Sequence, residues 1–92
     1  MINVLKKMIT SKDYEVVSLG EQVLCNKERY IKDLEKMGYS KWQAEVGIVA
    51  WAEHIISESD NGAKLRYYEY REDLVEHIAD LYEQEITGRK AA

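Results

Sequence analysis

The chain contains no proline, one cysteine and only five glycines among its 92 residues. Without proline nothing removes an amide donor or forces the backbone out of a helix, which favours long helices over a strand-and-turn fold. A single thiol cannot close an internal disulfide, so a disulfide scaffold is excluded and a reducing compartment fits best. No apolar run reaches the ~20 residues of a membrane span. The opening MINVLKKMITSKDYE lacks the apolar stretch of a secretory signal. A cytoplasmic protein without membrane insertion is the expectation. Positive charge is also short: 13 Lys and Arg stand against 17 Asp and Glu, a net of −4, which excludes a strongly basic nucleic-acid binder. The length predicts one helical domain over residues 1–92, and 46% hydrophobic residues argue against disorder.

Local patterns then divide the chain. Ile2, Leu5 and Ile9 share a face and predict a short first helix, after which Thr10, Ser11 and Asp13 are successive N-cap candidates. From Asp13 to Met37, a turn of about 100° per residue puts Val16, Leu19, Val23, Tyr30, Leu34 and Met37 in one sector. That register predicts one long helix, bent near Gly20 or Asn26; the alternative is an α+β fold with a Val-rich hairpin at residues 14–25. Gly38 suits the left-handed position after a helix, with Tyr39 folding back, and Ser40 and Gln43 form the capping box of the next. Trp42–Ile56 is apolar almost all round and reads as the most buried helix, and SESDNG at 57–62 as a break. A last helix is predicted from about Lys64 to Ile86, with Tyr67, Tyr70, Leu74, Ile78 and Leu81 as its core stripe. The expected fold is an all-α compact bundle of three longer antiparallel helices plus a short N-terminal one. Its core should draw on Val16, Leu19, Val23, Tyr30, Leu34, Trp42, Val46, Val49, Ile56, Leu74, Ile78 and Leu81.

Charge is unevenly distributed. Residues 1–45 are close to neutral, while residues 46–92 hold ten acids and five bases. On a continuous last helix, Glu69, Glu72, Asp73, Glu76, Asp80 and Glu83 would share a sector about 100° wide. Amphipathicity needs only polar residues there, whereas Glu69–Asp73, Glu72–Glu76 and Glu76–Asp80 are like-charge neighbours costing about 0.2–0.5 kcal/mol each. Such a stripe suits docking of a basic protein whose arginines and lysines otherwise hold phosphates. The plainer alternatives are a solvated face or pairing with Lys27, Arg29, Lys32, Lys36 and Lys41 of the same chain.

Chemistry-bearing residues are sparse. His54 and His77 have no close cysteine or second histidine, Cys25 is alone, and the glycines form no phosphate loop. Neither a metal, a cofactor nor catalysis is expected. Gly47, one turn before Trp51, leaves a notch that the first helix, a second copy or a partner would fill, making Trp51 an apolar anchor in the last two cases. Tyr67, Tyr68 and Tyr70 interleave with Arg66 and Arg71, but on an acidic helix that repels phosphate, which argues against direct nucleic-acid binding.

Two segments resemble known families. MGYSKWQA is similar over eight residues to the first turn of ubiquitin-associated domains, although the capping chemistry alone explains it. AKLRYYEYREDLVEHIADL, about a fifth of the chain, resembles the final helix of enterocin-type bacteriocin immunity proteins, which implies a small protective helical bundle. The leading expectation is a small acidic non-enzymatic binding protein, a stoichiometric inhibitor or modulator of a basic nucleic-acid-handling protein. Small phage and mobile-element inhibitors, anti-CRISPR proteins among them, are of this general kind. The alternatives are an immunity-type protector and, further off, a DNA-binding regulator using the helix after Ser40.

Overall fold

In the computed structural model, which describes residues 1–88, five α-helices and a closing π-helical turn succeed one another with no strand among the described residues. They are α1 (Ile2–Ile9), α2 (Tyr14–Cys25), α3 (Lys27–Lys36), α4 (Lys41–Asp60), α5 (Arg71–Leu81) and the π-turn Tyr82–Ile86. The fold is an all-α bundle. The hairpin alternative is overturned, because residues 14–25 are α2.

Local chemistry sets most boundaries. Asp13 caps α2, its Oδ1 accepting from Glu15 N at 3.0 Å, while its Oδ2 accepts from Ser59 Oγ at 2.9 Å and so ties the turn to α4. The expected long helix is broken at Asn26, which has φ −121° and ψ 24°. The Asn26 amide donates to the carbonyl of Gln22 at 2.8 Å, a side-chain bond that competes with the helical ladder and kinks it. Gln22 Nε2 then spans the kink to Tyr30 Oη at 2.7 Å.

Gly38, at φ 104°, ends α3, with Gly38 N–H on Glu35 O and Tyr39 N–H on Leu34 O. That is the paired bonding of a Schellman stop. Ser40 and Gln43 close the expected capping box at 3.1 and 2.8 Å. Gly62, at φ 73°, ends α4 in the same manner, with Gly62 N–H on Ser59 O and Ala63 N–H on Glu58 O.

The core gathers Leu5, Met8, Val16, Val23, Tyr30, Leu34, Ile48, Trp51, Ile55, Leu74 and Ile78, all nearly or wholly inaccessible. Trp42, Val46 and Val49, expected in the core, fall outside it, Trp42 at 66% exposure and the two valines half-buried, while Ile56 is half-buried and packs against it. The inward face of α4 is Ala44, Gly47, Ile48, Trp51, Ala52 and Ile55. A helix apolar nearly all round has little periodic contrast, and its small residues decide which side neighbouring helices approach. Leu19 is likewise half-buried and packed against the core. Residues 63–70 are not helical, so the last helix starts seven residues later than expected, and Tyr67 and Tyr70 are exposed rather than core.

Gly20 faces α1 closely. A Cβ there would lie 2.7 Å from Met8 Cβ and 3.3 Å from the Leu5 carbonyl oxygen. Because a Cβ cannot rotate away from its backbone, α1 would have to shift. Overpacking costs about 1–3 kcal/mol, against ~1 kcal/mol gained in helix propensity. Gly20→Ala is therefore expected to lower the urea midpoint; an unchanged or higher midpoint would contradict this close packing.

Candidate functional site

The acidic surface is built from the start of α5 upward. Asp73 Oδ2 accepts from Tyr70 N–H at 3.1 Å and Asp73 N–H donates to Tyr70 O at 3.1 Å, which starts the helix at Arg71. Glu69 therefore precedes the helix, exposed in the 63–70 connection, and does not stack one turn below Asp73 as expected. Glu72, Glu76 and Asp80 are exposed on α5, within about 80° of one another over ~12 Å of axis. None of the three carboxylates has an ion pair or hydrogen bond among the described residues.

The other predicted members have work inside the fold. Asp73 is half-buried and engaged as the cap. Glu83 is half-buried and accepts from Tyr39 Oη at 2.9 Å and from Thr87 Oγ1 at 3.1 Å. This bond ties the end of the chain to the α3–α4 turn, where the Tyr39 and Tyr82 rings meet edge to face at 5.4 Å. Burial, then the bond to Glu83, pushes the Tyr39 hydroxyl up to about 12, so it remains a donor at any physiological pH. Trp51 is fully buried and cannot anchor a partner. The notch at Gly47 is filled by α5 and the π-turn rather than by α1: a Cβ there would meet Ile78 Cγ2 at 3.3 Å and Tyr82 Cβ at 3.4 Å.

The late start of α5 also revises the electrostatic cost of the stripe. Glu72 and Asp73 lie in the first turn, where the helix dipole favours acids by about 0.3–1 kcal/mol. Of the three like-charge i,i+4 pairs expected, Glu72–Glu76 and Glu76–Asp80 remain. Pairing within the chain does not follow the pattern considered from sequence. Among the described residues Lys27, Arg29, Lys32, Lys36 and Lys41 make no ion pair with α5; the bridge between α3 and α5 runs the other way, from Arg71 Nε to Asp33 Oδ2 at 2.8 Å. Beside that bridge Met37, half exposed, and Val75 floor a shallow cleft of about 300 Å³, rimmed by Glu72 and Glu76. The exposed face thus combines unpaired carboxylates with a small apolar seat.

A second polar group was not visible in the sequence. Trp51 Nε1–H donates to Tyr68 Oη at 3.1 Å, and Tyr68 Oη lies 2.5 Å from His77 Nδ1. His77 packs edge to face on His54 with centroids 5.7 Å apart, and His54 Nε2 meets Glu58 Oε1 at 2.7 Å. Burial first, then the neighbouring Arg66 and His54, hold His77 below the ordinary imidazole value. Burial likewise raises the Tyr68 hydroxyl. The three residues of the chain are 17 and 9 apart in sequence, a spacing that carries no motif.

Cys25 is exposed on the polar side of α2, as its position suggested. Among the described residues no group of three or more His, Cys, Asp or Glu is placed to hold a metal ion. Likewise no helix there is long and apolar enough to cross a membrane. Comparison with protein-family models, with curated proteins and with solved structures finds no match for this chain.

Proposed function

We propose that the protein works by stoichiometric binding, as an inhibitor or modulator of a basic protein that itself handles nucleic acid, and without catalysis of its own. The observation that supports this reading is the trio Glu72, Glu76 and Asp80, exposed on one helix face without an ion pair among the described residues. A partner's arginines and lysines, spaced to meet phosphates, would find carboxylates at a similar pitch, with Met37 and Val75 offering apolar contact beside them.

The triple variant Glu72→Gln, Glu76→Gln, Asp80→Gln tests the reading. Three exposed ion pairs at ~0.5 kcal/mol each correspond to about tenfold in affinity. The variant is expected to bind the partner about tenfold more weakly at low salt and with a shallower salt dependence. Its own stability should stay within about 0.5 kcal/mol of the parent, since relief of two like-charge pairs offsets the lost dipole contact of Glu72. Unchanged affinity would sink the proposal.

A further inference from the structure

Residues 63–70 form no helix, and the backbone amides of residues 64–69 find no backbone partner among the described residues. Two side chains hold this connection down. Leu65 is buried in the core, and Tyr68 is inserted between Trp51 of α4 and His77 of α5. Tyr67, by contrast, is 83% exposed. The segment is therefore a strap over the fully buried Trp51, with Tyr68 as its polar fastening.

The donors and acceptors of that fastening are all matched in one arrangement. The indole of Trp51 is a donor only, so its N–H takes a lone pair of Tyr68 Oη. With Nδ1 of His77 unprotonated, the Tyr68 hydroxyl donates to it and every group of the chain has a partner. On a protonated ring, Nδ1–H and Trp51 Nε1–H both aim at one hydroxyl oxygen, and the Tyr68 proton loses its acceptor. From this geometry we infer that His77 is an acid-sensitive latch: protonating its ring releases Tyr68 and lifts the 63–70 strap from Trp51, while the helices stay folded.

The surrounding charges set the sign. Arg66 on the strap and His54 on α4 disfavour a positive His77, whereas Asp80 on α5 and Glu58 on α4 favour it. Glu58 is engaged by His54 Nε2 at 2.7 Å, and Glu85 of the π-turn stands 4.0 Å from His54 Nδ1, so both acids are drawn toward His54. Burial of the ring and the Arg66 and His54 neighbours prevail, and the closed strap holds His77 below its ordinary value. An opened strap returns the ring to water and to a value near 6.5. The open form therefore binds the proton more readily; the closed form is fully favoured above about pH 6.5 and loses ground as pH falls below it. One-proton linkage caps the effect at about tenfold in open population per pH unit.

The test uses the full chain with Trp42→Phe, an exposed site, so that Trp51 alone reports by fluorescence. Ring resonances of His77 and amide exchange across residues 64–70 are followed from about pH 8 to about pH 5. The expected result is a His77 midpoint below ~6.5, a red shift of Trp51 emission and, after correction for intrinsic rates, exchange that rises across 64–70 with the same titration. The far-UV helix signal should not change. His77→Gln should abolish the acid step in emission and exchange, and His54→Gln should retain it. A step that survives His77→Gln, or a His77 titration in the parent with no change in emission or strap exchange, would overturn the latch. Should His77→Gln fail to fold, the parent titration alone decides between these outcomes.

Discussion

Replacing Trp51 by alanine is expected to lower the free energy of unfolding by about 3–5 kcal/mol, the range for a large aromatic removed from a core. Trp51 is the largest of the fully buried side chains, at 0% exposure. Its loss opens a cavity among α4, α5 and the 63–70 strap. It also deprives Tyr68 of the indole donor, so the strap loses both its apolar floor and one of its polar contacts. Nothing nearby can readily fill the space, because Ile78 and Tyr82 are already against Gly47 one turn away. The chain supplies its own control in Trp42, which is 66% exposed at the start of α4. Trp42→Ala should change stability by no more than about 0.5 kcal/mol. Equilibrium denaturation of the two variants separates the cases. Similar losses at both positions would mean that α4 is rotated from the orientation described.

The second large effect is expected at Leu5. An isolated helix as short as α1, with eight residues, is marginal in water, so tertiary packing must hold it. Its inward residues Leu5 and Met8 are fully buried, and its main neighbour is α2, approached closely at Gly20. Leu5→Ala should cost about 2–5 kcal/mol. Part of that loss should appear as local opening of α1, measured as accelerated amide exchange over residues 2–9 relative to α4. Exchange in α1 unchanged from the parent, with only a small shift in the denaturation midpoint, would contradict the account of how the N-terminal helix is held.

How much of this could be read beforehand depended on how local the cause was. Gly38, Tyr39, Ser40 and Gln43 act through bonds within five residues of one another, and the stop, turn and restart they encode are present as expected. Val16, Val23, Tyr30 and Leu34 kept the register expected across the Asn26 kink, because a bend alters direction more than phase. The misreadings came where the decisive contact is distant. Tyr67 and Tyr70 fall in phase with Leu74 and Ile78, yet helix formation before Arg71 is pre-empted by the insertion of Leu65 and Tyr68 into the bundle. In α4 the apolar residues surround the helix, so the periodicity could not distinguish Trp42 from Trp51. The small residues Ala44, Gly47 and Ala52, which mark the tightly packed side, were the available signal.

The acidic face was legible only in its middle. Glu72, Glu76 and Asp80 depend on α-helical spacing alone and lie where it put them. Glu69 fell outside the helix with its late start. Asp73 and Glu83 were drawn into the cap and the Tyr39 contact, neither of which charge patterning weighs. What remains is a narrower face than the sequence suggested, and one whose carboxylates have no ion pair among the described residues.

The claim that this face binds a basic protein is tested most directly by paired affinity capture from lysate of the native host. Tagged parent and the Glu72→Gln, Glu76→Gln, Asp80→Gln variant are compared side by side at low and at high salt, with the eluates identified by mass spectrometry. The account predicts a near-stoichiometric basic protein on the parent at low salt, released at high salt and strongly depleted on the variant. Equal recovery of that protein on both baits, or no such protein on the parent at low salt, would contradict it.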